Sequence, residues 1–351
     1  MSSKVFVGTR AFALRGTLLD PGSIQKLAES TSLEELVNRL RSTPYGEILA
    51  GLSPPFSARR LELSFRERLA QVHYSMMASA GEFSILELYY LRNIAWDMKL
   101  ALKSRALGKS YEETAEYVDM KAEALVGRRD LIVRILSAKD ATEAVSLLSG
   151  TEFQEDAARA LAAYSSKGEV RFFDVYIDHA VLAQISKEYA SNHKIYASPR
   201  ATDVAGVGDL VSLDVDAYNS LAVLRSKLWG LQEQEVKDLI IKPTYRIPVA
   251  ILTRMATSES TAEAVKLIES AYPTSAQAVG SDEELIDAVE EGFARRMKNT
   301  ASKAFVWQGL SPGTALALIK LLEFEVSNLA AIAIGVEAHI DPKNILSSLK
   351  L

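Results

Sequence analysis

Apolar residues recur at intervals of three and four along almost the whole chain, and no other feature narrows the fold so far. Leu61, Phe65, Leu69, Val72 and Met76 fall on one stripe of a helix. Phe172, Val175, Tyr176, His179 and Leu182 repeat the pattern, as do Leu285, Val289, Phe293 and Met297. Ala, Leu, Glu, Lys and Arg, the residues that lose least on entering a helix, fill the long segments. Two-residue alternation is scarce; Glu169–Phe173 is the best stretch of it, and it is short. Proline and glycine punctuate rather than fill, at Asp20-Pro21-Gly22, Ser53-Pro54-Pro55, Ser311-Pro312-Gly313 and Ile340-Asp341-Pro342. An all-α fold is expected.

With 351 residues the chain has room for about two or three domains, or for one repeat architecture, and needs no staple to hold its core. It contains no cysteine, which removes disulfides, thiol nucleophiles, thiolate metal sites and iron–sulfur clusters together and fits a reducing compartment. Forty basic side chains against 45 acidic ones, a net charge of −5, argue against a dedicated nucleic-acid binder. Arg10 and Arg15 interrupt the first 19 residues, so no signal-peptide core forms there. The most apolar window, Leu316 to Ala338, carries Lys320, Glu323 and Glu325, which fits a buried helix better than a membrane span.

The chain resembles itself. Three short amphipathic helices, Leu33-Glu34-Glu35-Leu36-Val37, Thr142-Glu143-Ala144-Val145 and Ala262-Glu263-Ala264-Val265, each have a capping residue type nearby, Ser32, Thr142 or Thr261, and each is followed by an aromatic, Tyr45, Phe153 or Tyr272. A helix with an aromatic anchor comes next (Phe65, Phe172, Phe293), then a loop, then a long apolar helix with one asparagine: Asn93, Asn219, Asn328. The long helices are expected over 84–107, 213–229 and 315–334. A glycine ends or breaks each, at Gly108, Gly230 and Gly335, and a further helix starts near Tyr111, Glu233 and Asp341. Single matches of this kind carry little; their order, kept three times, points to three diverged copies of one helical unit, 1–119, 120–241 and 242–351. The first copy has four more residues between Asn and Gly than the second, about one helical turn.

Chemistry is mostly absent. The four histidines, His73, His179, His193 and His339, form no HxxxH or HxxE pair, so a metal site has no local support. There is no GxxxxGK[ST] and no GxSxG; Gly206-Val207-Gly208 lacks the third glycine and the preceding strand of a dinucleotide fingerprint and reads as a flexible loop. Glu34-Glu35, Glu112-Glu113, Glu283-Glu284 and Glu290-Glu291 read as solvated helix faces, and the arginine doublets at 59–60, 128–129 and 295–296 as ordinary surface. No catalytic residue, cofactor or metal ligand is therefore assigned. The three asparagines either line a shared central surface or tie down a neighbouring loop through their amides, the more ordinary use. The glycines are better explained as helix ends or close-packing points than as ligand contacts.

This threefold pattern, together with the closing stretch Leu322-Glu323-Phe324-Glu325-Val326-Ser327-Asn328-Leu329, then Gly335, then Ile340-Asp341-Pro342-Lys343-Asn344-Ile345, resembles the C subunit of the archaeal-type (A-type) ATP synthase and the related d subunit of vacuolar (V-type) ATPases. Tyr90-Leu91-Arg92-Asn93-Ile94 and Ala217-Tyr218-Asn219-Ser220-Leu221 are the matching stretches of the first two copies; at the N-terminus the family's aromatic-and-arginine pattern is only partly kept, as Phe6, Arg10, Arg15 and Leu18-Leu19. The resemblance implies three similar helical subdomains arranged as a funnel with pseudo-threefold symmetry. It also implies a non-catalytic central-rotor part, a spacer and socket between the central-stalk subunits and the membrane rotor ring. Such a protein is peripheral on the cytoplasmic face of the membrane and held there by protein contacts. Two other readings stay open on the residues alone: an α-helical repeat scaffold that binds protein partners, and an all-α enzyme whose acid/base pair is invisible in sequence. The long polar stretch 190–212 reads as a loop, with His193, Lys194, Tyr196, Arg200 and Asp203 as candidate contacts to a neighbouring part of the rotor.

Overall fold

The structure is a computed structural model that describes residues 3–81, 84–196, 206–273, 280–307 and 310–350; among them every regular element is a helix. The chain forms two compact units, 1–147 together with 309–351, and 148–308. The first holds α1 (Ser3–Arg15), α2 (Pro21–Ala28), α3 (Leu33–Leu40), α4 (Gly46–Leu49), α5 (Ala58–Ala80), α6 (Ser84–Ala106), α7 (Tyr111–Ala115), α8 (Lys121–Leu125), α9 (Arg129–Ser137) and α10 (Ala141–Ser146). The second holds α11 (Gln154–Lys167), α12 (Arg171–Tyr196), α13 (Val207–Leu228), α14 (Glu233–Asp238), α15 (Val249–Thr257), α16 (Thr261–Glu269) and α17 (Asp282–Trp307). The chain then returns to the first unit with α18 (Pro312–Glu337) and α19 (Pro342–Ser348).

Local chemistry sets the helix starts, and it repeats. Ser32, Asp140 and Ser260 cap α3, α10 and α16, each accepting from the backbone N–H three residues on, at Glu35, Glu143 and Glu263. Those three glutamates reach back to the backbone N–H groups of Thr31, Lys139 and Glu259, at 2.8, 2.7 and 3.0 Å. Two N–H groups with no helical partner are thus satisfied at each site. The caps of the second and third copies are Asp140 and Ser260 rather than Thr142 and Thr261, which lie inside the helices, because capping needs extended backbone one residue ahead of the first turn. After each cap the aromatics Tyr45, Phe153 and Tyr272 are buried.

Glu169–Phe173 is not a strand. Phe172 and Phe173, both buried, belong to the first turn of α12, where neighbouring positions share the wide face a helix turns to a core. Of the span 190–212, the described parts are mostly helix: α12, kinked at Asn192, runs to Tyr196, and α13 begins at Val207 because Val207, Leu210, Val211 and Leu213 all find buried positions.

Packing explains why compactness divides the chain differently from its sequence copies. Each long apolar helix is covered by a pair of short helices that belongs to another copy. Helices α9 and α10 pack on α6 in the first unit, and α15 and α16 pack on α13 in the second. The last long helix, α18, is covered by α2 and α3, with α1 and α5 beside them. All-round burial demands this: on α18, Ala315, Leu316, Ala317, Leu318 and Ile319 are consecutive and fully or almost fully buried.

Candidate functional site

The end of each long helix is built on one pattern of hydrogen bonds. Lys109, Leu231 and Ile340 donate their N–H groups to the carbonyls of Ser104, Ser226 and Gly335, five residues back, at 3.0, 3.1 and 2.8 Å. The residue before each donor is left-handed: Gly108 at φ 66°, Gly230 at φ 61° and His339 at φ 54°. This is the bond that closes a helix when the chain turns sharply. The next short helix is capped two residues further on, at Ser110, Gln232 and Asp341.

Counting back eleven residues from each left-handed position gives Asp97, Asn219 and Asn328, and these are the side chains that tie down the segment after the short helix. The Asn219 amide accepts from the Ile241 N–H at 2.8 Å and donates to the Ile241 carbonyl at 3.1 Å. Asn328 does the same to Lys350, at 2.9 and 3.3 Å. Asp97 accepts from the Met120 N–H at 3.4 Å.

The sequence-expected positions therefore divide. Asn219, Asn328, Gly108 and Gly230 occupy equivalent places. In this register the counterpart of Asn219 in the first copy is Asp97, with half-buried Asn93 one turn earlier, and the counterpart of Gly230 in the third copy is His339, with Gly335 at the place of buried Ser104 and Ser226. Gly335 is a close-packing point instead: a Cβ there would stand 2.6 Å from Ile345 Cγ1, on the α19 helix that docks against it. Arg200 and Asp203 lie outside the described residues, as do the side chains of His193, Lys194 and Tyr196.

A second buried contact lies three residues before each asparagine. Tyr45 donates its hydroxyl to Glu325 at 2.7 Å, and the Leu19 N–H donates to the other oxygen of that carboxylate. In the second unit Tyr272 donates to Asp216 at 2.6 Å, and the Arg246 N–H donates to the same carboxylate at 2.9 Å. Burial raises both carboxyl groups from their ordinary range, and the hydrogen bonds they accept hold them partly down. An arginine covers each tyrosine ring, Arg68 at 5.0 Å and Arg296 at 5.3 Å. At the corresponding positions of the remaining copy the sequence has Phe153 and Ile94: both hydroxyl and carboxylate are replaced by apolar groups. The signal for these acids was present in the sequence, as carboxylates on otherwise apolar helices, each two residues after another acid, Glu323 or Asp214.

Two of the histidines make structural contacts. His73 is buried and hydrogen-bonded through Nε2 to the Leu86 carbonyl at 2.9 Å, and burial pushes its pKa down to about 4. His179 Nδ1 meets Asp156 at 3.0 Å. Among the described residues no group of three or more His, Asp or Glu side chains could hold a metal ion.

These observations describe a helical protein held by buried polar ties, and known proteins match almost all of its length. The C subunit of the A-type ATP synthase from Pyrococcus horikoshii is 27% identical over 350 residues, covering 97% of this chain and 88% of the relative. That of Haloferax volcanii is 26% identical over 347 residues, covering 94% and 89%, and that of Methanocaldococcus jannaschii 22% over 352 residues, covering 98% and 85%. The family described as ATP synthase (C/AC39) subunit matches residues 7–348, from the first helix to the last, and the chain belongs to that family.

Proposed function

We propose that the chain is a non-catalytic part of the central rotor of an A-type ATP synthase, a spacer and socket that carries torque between the central stalk and the membrane rotor ring. The family is one of structural stalk subunits rather than catalytic ones. The observation that carries the reading is the return of α18 onto α2, α3 and α5: the helices that begin the chain cover the last long helix. An open solenoid leaves its terminal repeat to a separate cap, whereas a closed set of three copies lets each cover the next. On this reading the copies 1–119, 120–241 and 242–351 make up the expected funnel with pseudo-threefold symmetry, and the exchange of helix pairs supports it. No described helix is long and apolar enough to cross a membrane. The proposed rotor role has the protein held by protein contacts on the cytoplasmic face of the membrane.

The test is to capture the protein from native membranes and identify its companions. Co-purification of stalk and ring subunits is the expected result; recovery alone, or with unrelated soluble partners only, would count against the rotor role. The loop candidates belong to the same reading. Replacing 193–207 with a brief Gly/Ser linker should weaken assembly with the stalk or the ring, and wild-type assembly of both would remove the loop from the interface.

A further inference from the structure

Position 97 breaks the rule that its two counterparts follow. An asparagine at this place can accept from an N–H and donate to a carbonyl at once, and Asn219 and Asn328 each do both. An ionised carboxylate only accepts. Asp97 takes the Met120 N–H and then faces a second acid, Glu123 of α8. Glu123 is 0% exposed, and neither of its oxygens receives a hydrogen bond from any N–H or O–H donor. Two ionised carboxylates buried side by side cannot both persist without a cation.

The surrounding charges do not resolve the conflict. From α5, Arg59 and Arg66 engage Glu62, both at 2.9 Å, and Arg66 also lies 3.3 Å above the Trp96 ring. Glu67 of α5 is taken by Lys121. From α6, Tyr90 gives its hydroxyl proton to the Ala122 carbonyl at 2.8 Å. The returning segment adds Asp119, another acid, and ahead of α9 Arg128 contributes its backbone N–H to the Glu123 carbonyl at 2.8 Å. A single proton between Asp97 and Glu123 removes the repulsion and gives the Glu123 carboxylate the donor it lacks.

We propose that Asp97 and Glu123 share one proton as a latch that ties α8 and the segment leading into it to α6, and that loss of this proton as pH rises releases the segment. Burial raises both groups above the ordinary carboxylate range; Asp97 pushes Glu123 up further, and Asp119 adds to the rise of both. The sign follows from linkage. A carboxyl that binds its proton more tightly folded than unfolded contributes stability that is complete below the unfolded value and lost as pH rises through the folded one. The latch is independent of the rotor role and is tested on the isolated full-length chain.

Hydrogen exchange from about pH 5 to about pH 9, corrected for intrinsic rates, reads it directly. Protection over 118–126 should fall by up to about tenfold per pH unit from about pH 5 upward, one proton being released on opening, and level off once the folded chain has itself lost the shared proton. Protection around Ile241, held by the Asn219 amide, should stay level and serves as the internal control. Glu123→Gln supplies a permanent donor, and Asp97→Asn recreates the clamp of the other copies; each should flatten the profile. A wild-type profile that is level across the range overturns the proposal without recourse to any variant. So does persistence of the slope in whichever of the two variants folds.

Discussion

Replacing Asn219 by alanine should be far more costly than replacing Asn93, although the two look alike in sequence. Asn219 is fully buried, and its amide satisfies both the N–H and the carbonyl of Ile241, itself buried, at 2.8 and 3.1 Å. Truncation leaves a buried donor and a buried acceptor with no replacement. At about 1–3 kcal/mol for each stranded group, the expected loss is about 2–6 kcal/mol. Asn328→Ala removes the same two bonds, but Lys350 is exposed and water can take them over, so about 1 kcal/mol is expected. Asn93→Ala, at a half-buried position outside the clamp register, should stay near about 0.5 kcal/mol. The assay is urea unfolding of the three variants together with hydrogen exchange at Ile241, which isolates opening of the clamp from unfolding of the other compact unit. An Asn93→Ala loss equal to that of Asn219→Ala, or an Asn219→Ala loss below about 0.5 kcal/mol, would refute the assignment.

Leu329→Ala and Phe293→Ala, at residues 0% and 4% exposed, should each cost about 2–5 kcal/mol in denaturant titration. His73 is held neutral by burial with its pKa near 4, so its contribution should be present above the unfolded value of 6.5 and lost as pH falls toward 4. His73→Gln, which keeps a donor for Leu86, should flatten that acid limb by about 3 kcal/mol, and an unchanged acid titration would show that His73 does not set it. His339→Gly places at φ 54° the residue that tolerates it, as Gly108 and Gly230 already do, and should raise stability by about 0.5–1 kcal/mol by thermal or chemical unfolding; a loss would mean that the imidazole itself is needed there.

Contacts within a turn or two of helix are the part of this protein that the order of its residues specifies unaided. The stripe from Leu61 to Met76 is enough to specify a helix and its buried face, because helical periodicity ties residues three and four apart to one side. Ser32 with Glu35 marks a helix start for the same reason: cap and partner are close neighbours in the chain. The three helix starts capped by Ser32, Asp140 and Ser260 could be located near these positions because each is such a local signal. Register was not legible in this way. Asn93 and Asp97 are one turn apart on the same face of α6, and so are Gly335 and His339 at the end of α18, so spacing alone cannot choose between them. The choice is made by partners about twenty residues away, at Met120, Ile241 and Lys350, and by which residue must turn left-handed. Tertiary structure alone likewise decided that Tyr45 would meet Glu325 and that Asp97 would face Glu123. A carboxylate on a helix reads as solvated until the neighbouring element arrives to bury it, and only then does its charge need a donor, a partner or a proton.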